Sequence, residues 1–325
     1  MPKHSILVTK VSVHPRMKPD DLLDVSAFDK PDGDLLLAFY GFLKALDPDR
    51  LVDRSKEVYT ALGDIATRGR TIVVEVEGGN FGTAGVTRDV DNHEIVHQRD
   101  PNMAATYHAR LVVFVPKAAK HALVLIERVG REVPARRLLD LFMAAFKANY
   151  GSHMLKFESI VESDAWMQAA ELDRITGSVN QYNWSADIAD ASTPRGVGRL
   201  ERTLRPDGPG KHLPKSLLDL LRAKRVNAGH LLGFPDDAEP DELEVQVSAY
   251  GRSKTFVIDK EKSPRFAQVI AETGDPTPTA EDVRKACVEI VPDLFRNVGV
   301  AWETRWEQGV WTPEQLKARL EVPDE

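Results

Sequence analysis

The chain has 325 residues, 42% of them apolar and 29% charged, a balance that can fill one large core or two smaller ones. Its formal charge of −7 excludes a protein coated in positive charge for nucleic acid, but leaves room for a local basic patch. Cys287 is the only cysteine, so no internal disulfide can form. No apolar run reaches the roughly 18 residues of a membrane span, and the N-terminal run is too short for a signal peptide. The expectation is a cytoplasmic protein with no membrane partner.

Residues 4–13 alternate and are rich in β-branched side chains, which predicts a strand. DLLLAFYGFLKAL (34–46) reads as a mostly buried helix and SKEVYTALGDIA (55–66) as a second. RTIVVEVEGG (70–79) is a strand ending in glycines. Strands follow at 108–116 and 121–130, joined by the hairpin-length KAAK. A helix runs from Pro134 to Gly151, then a strand begins at Met154, a short helix spans 164–171, and LDRITGSVNQYNW forms another strand. From about 185 to 215 the chain turns rich in Gly, Pro and charge, which places a domain boundary there. The expected organisation is an N-terminal α+β domain over 1–190, a basic linker over 191–212, and a C-terminal α+β domain over 213–325. That last part holds a helix from Lys215, strands at 242–251 and 253–260, and helices opened by Thr279-x-x-Asp282 and Thr312-Pro313-Glu314-Gln315. The fold class is α+β, with a mixed or antiparallel sheet, helices on one face, a pattern compatible with a ferredoxin-like core, and a smaller C-terminal domain.

His93-Glu94-x-x-His97 spells the zinc-peptidase motif. On a helix, residues i and i+4 share a face, so two imidazoles hold Zn²⁺ while the Glu acts as general base. Here the preceding residues, Gly85 to Asn92, are turn formers and β-branched residues, and Pro101 follows closely. The segment reads as strand, turn, strand, with Asp91-Asn92-His93 at the turn. In a strand, His93 and His97 would stand roughly 13 Å apart, too far to share a metal. No metal or other cofactor is expected, and a zinc hydrolase using His93 and His97 is the alternative. EGGNFGTAG (77–85) matches neither dinucleotide nor nucleotide phosphate-loop spacing and reads as a bend between strands.

Three other constellations carry chemistry. Asp236, Glu244 and Gln246 fit the metal face of a Mg²⁺-dependent nuclease, with Lys254 substituting for the usual lysine; acidic loops before strands are common, so this stays an alternative. Segment 195–225 holds nine cations, Arg195, Arg199, Arg202, Arg205, Lys211 and Lys215 first, against Glu201, Asp207 and Asp219, a local +6. That asymmetry points to an anionic partner, although Lys and Arg most often simply face water. Trp302, Trp306 and Trp311 cluster near the C-terminus, the first two at helical spacing; core packing or a protein interface is favoured over base stacking.

The block GGNFGTAGVTRDVDNHEIVHQRDP, with YHARLVVFVPKAAKHALVLIERVGREVPARRLLDLFMAAF and LKFESIV, covers about residues 70–160. It resembles a sporadically distributed, largely uncharacterised family of prokaryotic proteins. The shared pattern is a Gly-aromatic-Gly turn, a D-x-D-x-G-E-V-V-like hairpin, an apolar strand ending in Pro, and a second strand before a helix. The resemblance implies that Asn92-His93-Glu94 fills a hairpin turn, and it implies a setting among mobile or phage-defence genes. It implies no activity and carries over no functional residue. The expectation is a non-catalytic binding component of an anti-phage defence system that contacts nucleic acid or a partner protein, in a chain compatible with an oligomer. The alternative is a metal-dependent hydrolase.

Overall fold

The computed structural model describes residues 2–29, 33–130, 132–159, 170–182, 198–208, 210–222, 225–235, 238–249, 252–259 and 265–323. The chain forms two compact units: Met1–Glu158 with Val269–Glu325, and Ser159–Gln268. The second is thus an insertion within the first. The sequence-expected division, with a linker over 191–212, differs: that stretch lies inside the second unit, and part of it is a strand.

The first unit runs β1 (His4–Pro15), α1 (Leu35–Ala45), β2 (Val58–Arg68), β3 (Thr71–Asn80), β4 (Gly85–Arg88), β5 (Ile95–Arg99), β6 (Ala105–Phe114), β7 (Ala122–Val129), α2 (Arg136–Asn149) and β8 (His153–Ser159). Its strands lie in the order β1-β7-β6-β3-β2, each antiparallel to its neighbour, with β8 beside β1. The sub-order β8-β1-β7-β6 with α1 and α2 is the ferredoxin-like arrangement, and the β2–β3 hairpin extends it beyond β6. The α+β class follows directly.

β7 is a continuous run, ALVLIERV, and all eight of its residues are buried. A strand buried on both faces needs cover on both. α1 and α2 pack on each other through Phe39, Phe42, Phe142 and Phe146, with Phe39 and Phe142 edge to face at 4.9 Å, and α1 lies against β3. Each such ring contributes roughly 1.5–3 kcal/mol by leaving water. α5 (Ala280–Asn297) packs on β6 and β7. Its start is the expected capping box: the Asp282 N–H donates to Thr279 Oγ1 at 3.2 Å and the Thr279 N–H to Asp282 Oδ2 at 2.9 Å.

Burial of β7 includes the charge of Glu127. Its carboxylate lies 2.7 Å from His4 Nδ1, accepts the Arg110 N–H at 2.9 Å, and lies 3.3 Å from Arg110 Nη1. Arg110 also donates to the Pro278 carbonyl at 3.3 Å, just before α5. On the opposite face Arg128 Nε donates to Ser5 Oγ at 3.1 Å. A second buried cation, Arg70, forks onto Asp34 at 2.6 and 3.0 Å, while Asp34 caps α1 by accepting the Leu36 N–H.

The second unit holds β9 (Glu171–Tyr182), β10 (Gly198–Leu204), α3 (Lys215–Arg222), α4 (Ala228–Leu232), β11 (Glu242–Ala249) and β12 (Arg252–Asp259); β13 (Arg265–Ala271) leads back to the first unit. These strands pair antiparallel in the order β10-β9-β11-β12-β13. Leu172, Ile175, Leu243, Val245 and Val247 form a buried face. Gly177 belongs to it: a Cβ there would come within 2.5 Å of Leu232 on α4, so glycine permits the close packing.

Two sequence expectations fail locally. Residues 55–66 are mostly strand, because β2 pairs along β3 and its helical spacing is overridden by that ladder. The Thr312 box makes both reciprocal bonds, at 2.9 and 3.3 Å, yet caps only a 3₁₀ turn at Gln315–Lys317. β13 was not foreseen, and the expected helix over 164–171 falls largely outside the described residues.

Removing the Glu127 carboxylate leaves Arg110 and His4 facing an apolar interior. Glu127→Ala is expected to cost roughly 3–5 kcal/mol. Urea unfolding followed by tryptophan fluorescence checks this; a loss below about 1 kcal/mol would show that the cluster is not a buried charge network.

Candidate protein-interaction surface

β3 and β6 stay paired up to Asn80 and Ala105. Residues 81–104 then leave the sheet. The exit is fixed by two backbone bonds, the Phe81 N–H to the Glu57 carbonyl at 3.0 Å and the Gly82 N–H to the Pro101 carbonyl at 2.7 Å. Gly82 has φ +93, and a Cβ there would collide with the Glu57 carboxylate at 2.2 Å, so this bend requires glycine.

Beyond the bend, β4 and β5 form a separate two-stranded hairpin. Its tip is tied by its own side chains. Asp89 Oδ1 accepts the N–H groups of Asp91 and Asn92 at 2.9 and 3.1 Å, Asn92 Oδ1 accepts the Glu94 N–H at 3.0 Å, and Arg88 Nη1 donates to the His93 carbonyl at 2.9 Å. These are the local bonds that make Asp and Asn turn formers. His93 takes the left-handed position, φ +63.

Neither face of this hairpin is packed. Every residue from Val90 to Gln98 is exposed. Val90, Val96, Val86 and Ile95 are 84%, 67%, 53% and 46% exposed, and Met103 and Tyr107 near its base are exposed as well. Val86 pairs with Gln98, and Thr87 with His97. Val86 and Gln98 thus share one face and Thr87 and His97 the other, and the register then shifts, so that Arg88 pairs with Ile95 and Val96 lies at the irregularity. Exposed aliphatic side chains are thus grouped on one hairpin, among the carboxylates Asp89, Asp91 and Glu94, which makes it the candidate interaction surface.

The strand-turn-strand reading of the His93-Glu94-x-x-His97 segment holds. His93 sits in the turn and His97 in β5, so the pair lacks the shared helix face that the zinc motif uses. Among the described residues no group of three or more His, Cys, Asp or Glu is placed to hold a metal ion.

The other predicted sites are only partly brought together. Asp236 and Arg195 lie outside the described residues. Glu244 pairs with Val257 and Gln246 with Thr255, whereas Lys254 pairs with Val247, so the Lys254 position alternates out of phase with the other two. That register does not build the expected nuclease face. In the basic segment, Arg199 lies 3.1 Å from Glu201 and Lys211 2.8 Å from Asp207, so two of the cations are already paired. Arg202 on β10 and Arg205 just past it are exposed, and among the described residues no carboxylate is seen to pair with them; Lys215 begins α3.

The tryptophans are not an exposed interface. Trp306 and Trp311 are buried; Trp302 stacks on Phe295 at 5.0 Å and meets Phe114 edge-on at 5.4 Å. Trp302 precedes a 3₁₀ turn at Thr304–Glu307 and shares no helix with Trp306. Trp311 Nε1 donates to the Gly69 carbonyl at 2.9 Å. They close the core of the first unit.

Sequence reasoning missed His212. Its Nδ1 lies 2.9 Å from Asp173 Oδ1 and its Nε2 2.7 Å from Glu171 Oε2, and Ser248 Oγ donates to Asp173 at 2.9 Å. The hydroxyl faces the carboxylate and not the imidazole, so the group is no nucleophile–base pair. With the Leu213 N–H donating to the Leu172 carbonyl at 2.7 Å, it anchors the end of the basic segment to β9. A cavity of about 180 Å³ in the first unit is lined by Leu62, Val76 and Ala109 as well as Glu75, Glu77, His108 and Arg110. Glu77 there accepts a bond from Thr106, and Arg110 is turned to Glu127.

No family model, curated protein or solved structure matches this chain. Among the described residues no helix is long and apolar enough to cross a membrane.

Cys287 is buried on α5; burial pushes its thiol pKa well above the usual range, and the nearby Glu127 carboxylate adds to the shift. It is expected to resist an aromatic disulfide reagent in mildly alkaline buffer and to react only after unfolding. Rapid labelling of the folded chain would contradict this placement.

Proposed function

We propose that the chain is a non-catalytic protein-binding component whose working surface is the β4–β5 hairpin, in a prokaryotic system that defends against phage or other mobile elements. One observation carries the reading: a hairpin with neither face packed presents Val86, Val90, Ile95 and Val96 to solvent. Its tip is ordered by Asp89 and Asn92, so little chain entropy is lost when it docks. The defence setting is supported by the resemblance of residues 70–160. Hydrolase readings have less support, since His93 and His97 share no helix and Lys254 alternates out of phase with Glu244.

A second reading is favoured by Arg202 and Arg205, which are exposed near the end of β10. Two neighbouring exposed cations can hold a nucleic-acid backbone, and binding of that kind weakens steeply with salt.

Phage plating on cells carrying the chain with its neighbouring genes separates the two. Val86→Asp/Val96→Asp is expected to abolish protection at unchanged protein level, and Arg202→Ala/Arg205→Ala to retain it. Full protection by the valine variant, with loss in the arginine variant and salt-sensitive anisotropy with DNA or RNA, would move the function to nucleic acid.

A further inference from the structure

We infer that the end of the β1–β7 ladder binds a phosphate group, held by Ser12, His121, Lys10 and Lys156. The site belongs to the first unit and is independent of the hairpin.

Two buried polar atoms meet there without partners. Ser12 is 0% exposed, and neither its Oγ nor His121 Nδ1 has a hydrogen-bond partner among the described residues. β1 and β7 pair through Lys10 with Leu123 and Val11 with Ala122, so Ser12 and His121 stand opposite each other one step further on. Opposed residues of an antiparallel pair share a face, and strand alternation puts Lys10 on that face too. A buried hydroxyl and a buried ring nitrogen left unbonded cost stability, so their presence calls for something that completes them.

The surrounding charge selects the occupant. β8 lies beside β1, and its Glu158 is 3.3 Å from Lys10 and 3.0 Å from Lys156. Exposed Lys120 precedes His121. These four groups all act on His121, and three ammonium groups against one carboxylate leave +2. Burial, and then Lys10, hold the imidazole below its ordinary pKa, against the opposing pull of Glu158. The ring is therefore neutral near neutral pH, and in the Nδ1–H tautomer it donates into the site. That balance disfavours a cation, and a lone carboxylate would leave one positive charge over. A phosphate group carries close to two negative charges and has enough acceptor oxygens for the Ser12 hydroxyl, the His121 N–H and both lysines. Lys10 and Lys156 share a single carboxylate and are partly exposed, so either can turn from Glu158 to meet the ligand.

Proton NMR of the His121 ring, identified by its loss in His121→Gln, tests the site in the full chain. Inorganic phosphate is expected to give a saturable shift and to raise the His121 pKa, because a bound anion favours the imidazolium. Sodium chloride of equal ionic strength is expected to do neither. Ser12→Ala is expected to weaken phosphate binding about ten-fold, as loss of a hydrogen bond to a charged group would. The same variant should leave urea stability unchanged or raised, since it removes an unbonded buried hydroxyl. Methyl phosphate separates the sources: tighter binding than inorganic phosphate supports the site as one for the phosphate group of a larger molecule, weaker binding as one for the free ion. A phosphate response no larger than that to chloride, or a phosphate affinity unchanged in Ser12→Ala, overturns the inference and leaves Ser12 and His121 bonded to water alone.

Discussion

The first unit is organised by the double-sided burial of β7. An eight-residue strand with no exposed face needs cover on both sides, and α5 packs directly on it. Because Glu127 is part of that strand, the neighbours must also hydrogen-bond its carboxylate. His4 on β1 and Arg110 on β6 do so from either flank, and Arg110 extends the network to the carbonyl just before α5. Packing and charge compensation thus select the same arrangement of elements. The C-terminal tryptophans complete it: Trp306 and Trp311 are buried in their own unit and Trp302 stacks on Phe295.

A core closed in this way leaves recognition to the periphery. The β3–β6 ladder ends at Asn80 and Ala105, and the chain between them spends its length outside the sheet. Every residue from Val90 to Gln98 in that excursion is exposed, yet its tip is hydrogen-bonded by Asp89, Asn92 and Arg88. Locally specified backbone combined with unpacked aliphatic side chains is poor design for an idle loop and suitable design for a docking element. The basic segment is more closely bound into its own unit: β10 pairs with β9, Lys211 and Arg199 have carboxylate partners, and His212 fastens its end.

Much of this was legible in the residues. The strands at β1, β3, β6 and β7, helices α1 and α2, the Thr279 capping box and the turn at His93 all have local causes: alternation, helical spacing, a cap, turn chemistry. What was not legible depends on partners distant in sequence. Val58 to Arg68 have a helix-compatible spacing and become a strand only because β3 lies alongside. The insertion of one unit within the other returns at residue 269, where no composition change announces it. The aliphatic residues of the hairpin read as ordinary half-buried strand positions, since alternation predicts that one face will be covered and cannot say by what. Trp302, Trp306 and Trp311 posed the reverse problem: core and interface use the same residues, and only their contacts with Phe295, Phe114 and Tyr40 distinguish the two.

The central claim is that the β4–β5 hairpin lacks support from its own chain and gains it by docking. Hydrogen–deuterium exchange read at residues 85–99 tests it most directly. The account predicts little protection for β4 and β5 amides in the isolated protein, while those of β3 and β6 exchange slowly. Hairpin amides as protected as those of β3 and β6 would contradict it.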